Sequence, residues 1–295
     1  MLNEKNRKFI AVDAIYLVLC ILPLVFGVVL KVLTATPSDG ITVEGATLFL
    51  TVNMPFQPLY ITESEINSWI VIISVFWLCL YLTHGLNVKH PTRRQHLIEM
   101  AVEKLEGLVN SNMGEYFKGF VPFVMAIMVL SAFSSLLTLI GLYPPTSDLN
   151  VVGGWAILVF VLITYYKFKC GPFHYLKSFG DPVPFLAPLN IISEFATPVS
   201  MAFRHYGNIL SGTVISVLIA SALGGLSNIV LGWLPGFLGE FPFLRIGLPA
   251  ILSVYFDLFS GLLQAFIFAM LTMMYISGGF PAEEYFLRRS KKTNQ

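Results

Sequence analysis

Long uninterrupted apolar runs constrain this chain more than any other feature of its sequence. A run of about 20 apolar residues is long enough to cross the hydrocarbon core of a bilayer as a helix. Only 12% of the residues are charged, which is about half the share found in soluble domains. The sequence therefore predicts an all-α polytopic membrane protein with about six membrane helices. The runs span residues 9–33, 66–86, 117–142, 151–168, 185–233 and 246–280.

Clusters of Lys and Arg predict the orientation of these spans, because loops rich in basic residues remain in the cytoplasm. Six passes with a cytoplasmic N-terminus place every such cluster on one side and leave only Lys31 and Arg245 outside. We therefore expect both termini in the cytoplasm. The clusters are Lys5, Arg7 and Lys8; Lys89, Arg93, Arg94, Lys104 and Lys118; Lys167, Lys169 and Lys177; and Arg288, Arg289, Lys291 and Lys292.

The spans predict one membrane domain, 1–295, made of four segments. These are an extra N-terminal span (9–33), an outer loop (34–65), a membrane core (66–281) and a basic cytoplasmic tail (282–295). The first run has the basic start of a signal peptide, but it is long, contains Asp13 and lacks a clear cleavage site. We favour an uncleaved anchor.

Three further elements are predicted from local patterns. In the outer loop, β-branched and aromatic residues around Gly45 favour a small hairpin. Residues 92–110 alternate apolar and charged side chains at helical spacing, which predicts an amphipathic helix on the inner membrane surface. The fifth and sixth runs are too long for upright spans, so we expect long, strongly tilted helices.

A permanent positive charge lies in the fifth run, at Arg204 in the stretch EFATPVSMAFRHYGNILSG (194–212). Arginine does not lose its proton in proteins, and placing it at membrane depth costs at least about 2.5 kcal/mol. On a helix its face carries small and polar residues. They are Thr197, Ser200, Gly207, Asn208 and Ser211.

The sixth run repeats this pattern around Asp257. One interpretation of the two charges is a stabilising ion pair between Arg204 and Asp257, although such buried pairs contribute little to stability. The polar stripes instead favour a path for ions, because ionisable residues inside a membrane are usually functional. On a regular helix the Asp257 stripe comprises Ser253, Ser260, Gly261 and Gln264.

Four motifs together resemble subunit a of the rotary F-type ATP synthase, and the resemblance extends in chain order over about residues 41–281. They are PVSMAFRHYGNILSG (198–212), LLQAFIFAMLTMMYIS (262–277), GLYPPTSDLNV (141–151) and INSWIVI (66–72). The resemblance implies a non-catalytic subunit in a bacterial-type inner (plasma) membrane, with no cofactor or metal of its own. Its implied partners are the c-ring proteolipids, the peripheral-stalk b subunit, the rest of the synthase and the lipid bilayer, and no nucleic acid.

The resemblance also implies a mechanism and its residues. Two offset half-channels carry H⁺ or Na⁺ to and from a carboxylate on each ring subunit, and the resulting rotation drives ATP synthesis. An arginine between the half-channels meets the deprotonated carboxylate and blocks a leak. Arg204 matches this arginine, Asn208 the asparagine four residues later, and Gln264 the final-helix glutamine that faces it. Glu194 matches an upstream acid, and the ion path is expected to include Ser200, Ser211, Thr213 and Ser260.

Two positions depart from the pattern of this family. Many bacterial relatives carry glutamate nine residues after the arginine, where this chain has Thr213, whereas Asp257 stands at a variable site seven residues before Gln264. We interpret this as a channel carboxylate moved between helices and assign Asp257 to an access half-channel. His205 replaces the usual leucine and lies about 100° from the Arg204 stripe. It is either a proton relay or an ordinary polar helix residue.

Other classes of protein fit the sequence less well. A secondary ion-coupled transporter with an intramembrane Arg/Asp site is the main alternative, but such folds are built from repeats, and the sequence has no evident internal repeat. A structural scaffold leaves the two polar stripes unexplained. A stand-alone enzyme is disfavoured, because the chain lacks a P-loop, an H-E-x-x-H motif and a nucleophile elbow.

Overall fold

The fold is described from a computed structural model, which covers residues 4–34, 45–55, 57–89, 91–169, 171, 175, 179, 183–231, 251–252 and 254–280. Helices dominate these residues, and a two-stranded sheet accompanies them. The elements are α1 (Glu4–Thr34), β1 (Leu48–Val52), β2 (Leu59–Thr62), α2 (Glu63–Thr83), α3 (Arg93–Met113), α4 (Val121–Leu136), α5 (Leu149–Lys169), α6 (Ala187–Leu231), a π-helix (Val254–Ser260) and α7 (Gly261–Gly278). Short 3-10 turns lie at Glu115–Phe120, Leu137–Ile140, Pro145–Ser147 and Pro184–Leu186.

Within the described ranges, six helical segments are long and apolar enough to cross a membrane, one for each predicted run. The all-α polytopic membrane fold is therefore confirmed. The segments are Phe9–Thr34, Glu63–Thr83, Glu115–Ile140, Leu149–Lys169, Pro184–Val230 and Val254–Gly278.

Helix α6 is unusually long. Its 45 residues correspond to about 68 Å at 1.5 Å per residue, roughly twice the thickness of a hydrocarbon core. Pro198 lies within it without ending the helix. A break is thus not observed over Ala187–Leu231, and the predicted tilt of this helix stays a prediction. For the sixth run, residues 232–250 lie outside the described residues.

The chain packs as two compact units, which are described separately. The first contains Met1–His84, Leu130–Asp148 and His205–Ala265. In it, two side-chain contacts join α1 to the two ends of α2. The Asp13 carboxylate lies 2.8 Å from His84 Nδ1, and Lys31 Nζ lies 3.7 Å from Glu63 Oε1. Between these contacts, Gly27 lets α1 approach closely, since a Cβ there would lie 2.8 Å from Ile70. Helix α1 is therefore an integral part of this unit, and its retention as an uncleaved anchor stays a prediction.

The predicted hairpin is present in this unit, but its turn was misplaced. Antiparallel β1 and β2 pair Leu48 with Thr62 and Val52 with Leu59, so residues 53–58 connect the strands and Gly45 precedes them. The first strand lies in the stretch predicted from its β-branched and aromatic residues. The second strand leads directly into α2, which begins at Glu63. The Glu63 backbone N–H then donates to the Thr47 carbonyl at 2.8 Å.

The loop between α4 and α5 is joined to α2 by polar contacts. Ser64 Oγ donates to the Asp148 carboxylate, and Asn67 Nδ2 donates to the Tyr143 carbonyl at 2.8 Å. Burial raises the pKa of the Tyr143 hydroxyl, which donates to the Ser147 carbonyl. These contacts satisfy buried polar groups at the predicted outer ends of the helices.

The second unit contains Gly85–Val129, Leu149–Arg204 and Phe266–Gln295. Its core is apolar and aromatic, with Phe117, Phe268 and Met273 almost wholly buried. Helix α3 begins after Thr92, whose Oγ1 accepts from the Gln95 backbone N–H. One edge of α3 is buried at Val109 while most of its side chains are exposed, as expected for an amphipathic surface helix.

Candidate functional site

Arg204 lies on the exposed side of α6. Its side chain is exposed, and so are Ser200 one turn before it and Ser211 two turns after it, whereas Asn208 is half-buried. The neighbouring Met201 is buried, so this part of α6 has one packed and one open side. Within the described part of its own unit, no ion pair to Arg204 is present. The helix thus presents a fixed positive charge outward from a polar stripe.

Asn208 and Ser260, two of the predicted site residues, are brought together. Ser260 Oγ donates to Asn208 Oδ1 at 2.9 Å, and Asn208 Nδ2 donates to the Ser260 carbonyl at 3.3 Å. By contrast, Ser211 and Thr213 donate to carbonyls of their own helix, at Asn208 and Ile209. Their hydroxyls are therefore occupied within α6, while the Asn208 side chain joins α6 to the π-helix.

Asp257 lies in the middle of the π-helix Val254–Ser260, where a regular α-helix was predicted. That expectation was wrong. A π-helix has a different number of residues per turn from an α-helix, so the spacing used to assign the Asp257 stripe does not hold here. Ser253, assigned to that stripe, lies outside the described residues. π-helical turns are rare and occur frequently at functional sites. The local backbone thus sets Asp257 apart from an ordinary helical residue.

The half-buried Asp257 side chain lines a small cavity. The cavity has room for about one water molecule. Its other lining residues are Ser135, Thr138, Ile209, Gly212, Phe256 and Gly261. The hydroxyl groups of Ser135 and Thr138 and the Asp257 carboxylate give this cavity a partly polar lining.

Two glycines hold the walls of this cavity close together. A Cβ added at Gly261 would lie 2.7 Å from Ser135 Cβ, and one added at Gly212 would lie 3.1 Å from Phe256 Cβ. Gly261, predicted on the Asp257 stripe, thus allows close helix approach, and so does Gly212, which was not predicted, whereas a Cβ at Gly207 of the Arg204 stripe would meet nothing within 4 Å. Gln264, one turn beyond Gly261, is buried; its predicted position facing Arg204 stays a prediction.

Glu194 belongs to a second cavity, in the second unit. Its Oε1 accepts from Lys167 Nζ at 2.8 Å and from Tyr175 Oη at 3.0 Å. Burial and the contact with Glu194 raise the pKa of Tyr175 to about 12, so this hydroxyl keeps its proton near neutral pH. The cavity has a volume of about 190 Å³, enough for several water molecules. Its lining includes Thr197, Met274 and Tyr275.

Two residues that contact Glu194 were not predicted as site residues from the sequence. Lys167 was counted only as a cytoplasmic-side charge, and Tyr175 was not considered. Lys167 and Glu194 are 27 positions apart, so no local spacing relates them. A basic residue near the end of one span and an acid near the start of the next is the only signal the sequence offers. In the described ranges, no group of three or more His, Cys, Asp or Glu residues could hold a metal ion.

A family model and several known proteins are similar to this chain. Residues 66–277 match the family model described as ATP synthase A chain. Subunit a from Desulforamulus reducens is 35% identical over 73% of this chain and 78% of the relative, and the Legionella pneumophila protein is 28% identical over 77% and 90%. A Propionigenium modestum relative, named as sodium ion specific, is 28% identical over 76% of each chain. Because the family model covers well over half of its length, this chain belongs to the ATP synthase A chain family.

Proposed function

We propose that this chain is the ion-translocating stator subunit of an F-type ATP synthase and contributes no bond-making chemistry of its own. It forms two half-channels against a ring of c proteolipids, and H⁺ or Na⁺ flow through them turns the ring. Family membership disfavours the alternative of a secondary transporter. We further propose a bacterial-type inner (plasma) membrane location, cytoplasmic termini and an association with the peripheral-stalk b subunit.

The exposed guanidinium of Arg204 is the observation that carries this proposal. A charge at membrane depth is costly, and within the described part of its own unit Arg204 has no acidic partner. A carboxylate on a neighbouring ring subunit would supply that partner. The cation would favour the deprotonated carboxylate and so help to expel its ion. As each ring subunit passes, Arg204 would exchange one carboxylate for the next.

The two carboxylate cavities supply the proposed access paths. Thr138, in the cavity of Asp257, lies near the end of the third span, and Lys167, beside Glu194, lies near the end of the fourth. In the predicted topology these ends face opposite sides of the membrane. We therefore assign Asp257 to the outer half-channel and Glu194 to the inner one. We further propose that the ion path includes Asn208 and Ser260, which are hydrogen-bonded to each other, with Ser200, Ser211 and Thr213 along α6 and Gln264 on α7.

ATP-driven ion pumping in inverted membrane vesicles tests this function. The intact complex is expected to acidify the vesicle lumen, or to accumulate Na⁺, on addition of ATP. Arg204→Ala is expected to abolish pumping while the complex remains assembled. Arg204→Lys retains a charge but loses the planar fork, and we expect most of the pumping to be lost. Comparing pumping with and without Na⁺ identifies the coupling ion.

Arg93→Ala is the matched control, because Arg93 lies exposed at the start of α3 and belongs to neither stripe. It should pump like the intact chain. Normal pumping by Arg204→Ala would contradict the assigned role of the arginine. Absence of any ATP-driven pumping by the intact complex, or purification of the chain without small proteolipids, would instead favour the transporter.

A further inference from the structure

We propose that His205 is a positioning residue, which locks the rotation of α6 through a buried hydrogen bond to Ser131 and thereby holds Arg204 outward. This inference rests on the proposed function. Neither the family match nor the motif resemblance accounts for a histidine next to the arginine. The two side chains differ sharply in environment: Arg204 is exposed, whereas His205 is completely buried.

The contact itself joins two fully buried groups. His205 Nε2 lies 3.3 Å from Ser131 Oγ on α4, and both side chains have 0% exposure. A buried polar group that loses its partner costs more than the bond contributes, because it cannot return to water. The bond therefore favours one rotational setting of α6 about its own axis. Successive residues on an α-helix are 100° apart, so this setting also fixes the direction of Arg204.

Along α6, the packed face continues from His205 at helical spacing. Ile209 and Gly212 follow at four and seven residues, and both line the cavity of Asp257. Ser135 on α4 and Thr138 in the following 3-10 turn stand four and seven residues after Ser131 and line the same cavity. The two faces therefore line one cavity, and the His205–Ser131 bond is a polar contact between them at the Arg204 end.

At the end of this face nearer Gly212, the helices are held by close packing at glycines. Gly212 approaches Phe256, and Gly261 approaches Ser135, at distances that leave no room for a Cβ without a shift. Ser135 Oγ donates to the Ser131 carbonyl at 3.1 Å, which ties the partner of His205 to the cavity wall. The buried Met201 and Ala202 pack the preceding turn of α6 by apolar contacts, and the bond at His205 adds a directional polar contact next to Arg204.

A positioning role and a proton-relay role predict opposite changes in passive ion flux. In the proposed mechanism Arg204 blocks the leak between the half-channels, so a poorly aimed arginine raises passive flux through membranes from which the ATP-hydrolysing subunits have been removed. Loss of a relay would lower that flux. His205→Leu and Ser131→Ala each remove the bond, and His205→Gln retains a polar group near the position of Nε2.

We expect His205→Leu and Ser131→Ala to raise passive flux about fivefold, the factor that corresponds to a hydrogen bond of about 1 kcal/mol. The double variant should leak no more than the worse single variant, and His205→Gln should restore a tight membrane. Assembly is checked by recovery of the whole complex. If His205→Leu does not assemble, the test compares the passive flux of Ser131→Ala with that of His205→Gln.

Unchanged or lower flux in the bond-deleting variants, or failure of His205→Gln to restore tightness, would overturn the positioning role. The proposed function has a separate readout in the same vesicles, ATP-driven pumping by the intact chain and its loss in Arg204→Ala. Pumping that behaves as proposed, together with tight His205→Leu membranes, would refute only the role of His205. Absence of pumping by the intact complex would refute both.

Discussion

Lys167 neutralises the buried carboxylate of Glu194, and Lys167→Met measures what this contact contributes. The two charged atoms lie 2.8 Å apart, and 9% of the Glu194 side chain is exposed against 28% of Lys167. Removing one partner of a buried pair costs about 3–5 kcal/mol, because the other charge remains without compensation. We expect Lys167→Met to lower the free energy of unfolding by about 3 kcal/mol, the lower end of this range, since Lys167 is partly hydrated and Tyr175 still donates to Glu194.

The opposite substitution is expected to cost much less. In Glu194→Gln the amide oxygen still accepts hydrogen bonds, and the partly exposed Lys167 can reach water, so the cost should be about 1 kcal/mol. Lys167→Met/Glu194→Gln contains neither charge and should resemble the single Glu194 variant. The two changes are therefore expected to be strongly non-additive.

Thermal unfolding of the purified complex supplies the assay. A change of 1 kcal/mol shifts the Tm of a chain of this size by about 2–4 °C, so Lys167→Met should lower it by about 6–12 °C and Glu194→Gln by about 2–4 °C. Lys118→Met is the control, because its pair with Glu115 is largely exposed and such pairs contribute little. Equal losses from Lys167→Met and Glu194→Gln, or additive losses in the double variant, would refute this reasoning.

Three further predictions follow from local packing. Gly261→Ala should destabilise the complex by about 1–3 kcal/mol through overpacking against Ser135. Gly225→Ala should not, because a Cβ at Gly225 would meet open space. Equal Tm values for the two variants would contradict the close contact at Gly261. Thr92→Ala should lower the protection of the first turn of α3 in hydrogen exchange, with a cost of about 1 kcal/mol, and Thr92→Ser should preserve it. Mass spectrometry of the purified chain should find the first span, including Asp13, retained; a chain beginning beyond residue 34 would identify a cleaved signal.

The elements set by hydrophobicity were predictable from the sequence. The first five apolar runs are helices within a few residues of their predicted bounds, because lipid leaves the backbone no other way to satisfy its hydrogen bonds. The predicted start of the sixth run lies outside the described residues. The amphipathic α3 was predictable for a related reason, since its apolar side chains recur at helical spacing. The hairpin was found, but its turn was not, because strand propensity says little about register.

The details of the sites depend on contacts that sequence patterns do not contain. Asn208 and Ser260 are 52 residues apart, and no local rule pairs them. The apolar run around Asp257 contains no residue pattern that marks a π-helix, so a regular helix was the natural but wrong expectation. The polar stripe of Arg204 was predictable because one unbroken helix carries it. The fully buried environment of His205 required the fold.

The two ion contacts between α1 and α2 have a consequence for the membrane around this protein. Asp13 and Lys31 are 18 residues apart on α1, about 27 Å along the helix axis, which is close to the thickness of a hydrocarbon core. The Asp13–His84 and Lys31–Glu63 contacts would therefore lie at the two opposite lipid–water interfaces. Sliding α1 along α2 by one turn would draw a charge into the hydrocarbon. The pair of helices thus has a fixed hydrophobic length, and a thinner or thicker bilayer must be met by tilting both helices together or by deforming the lipid.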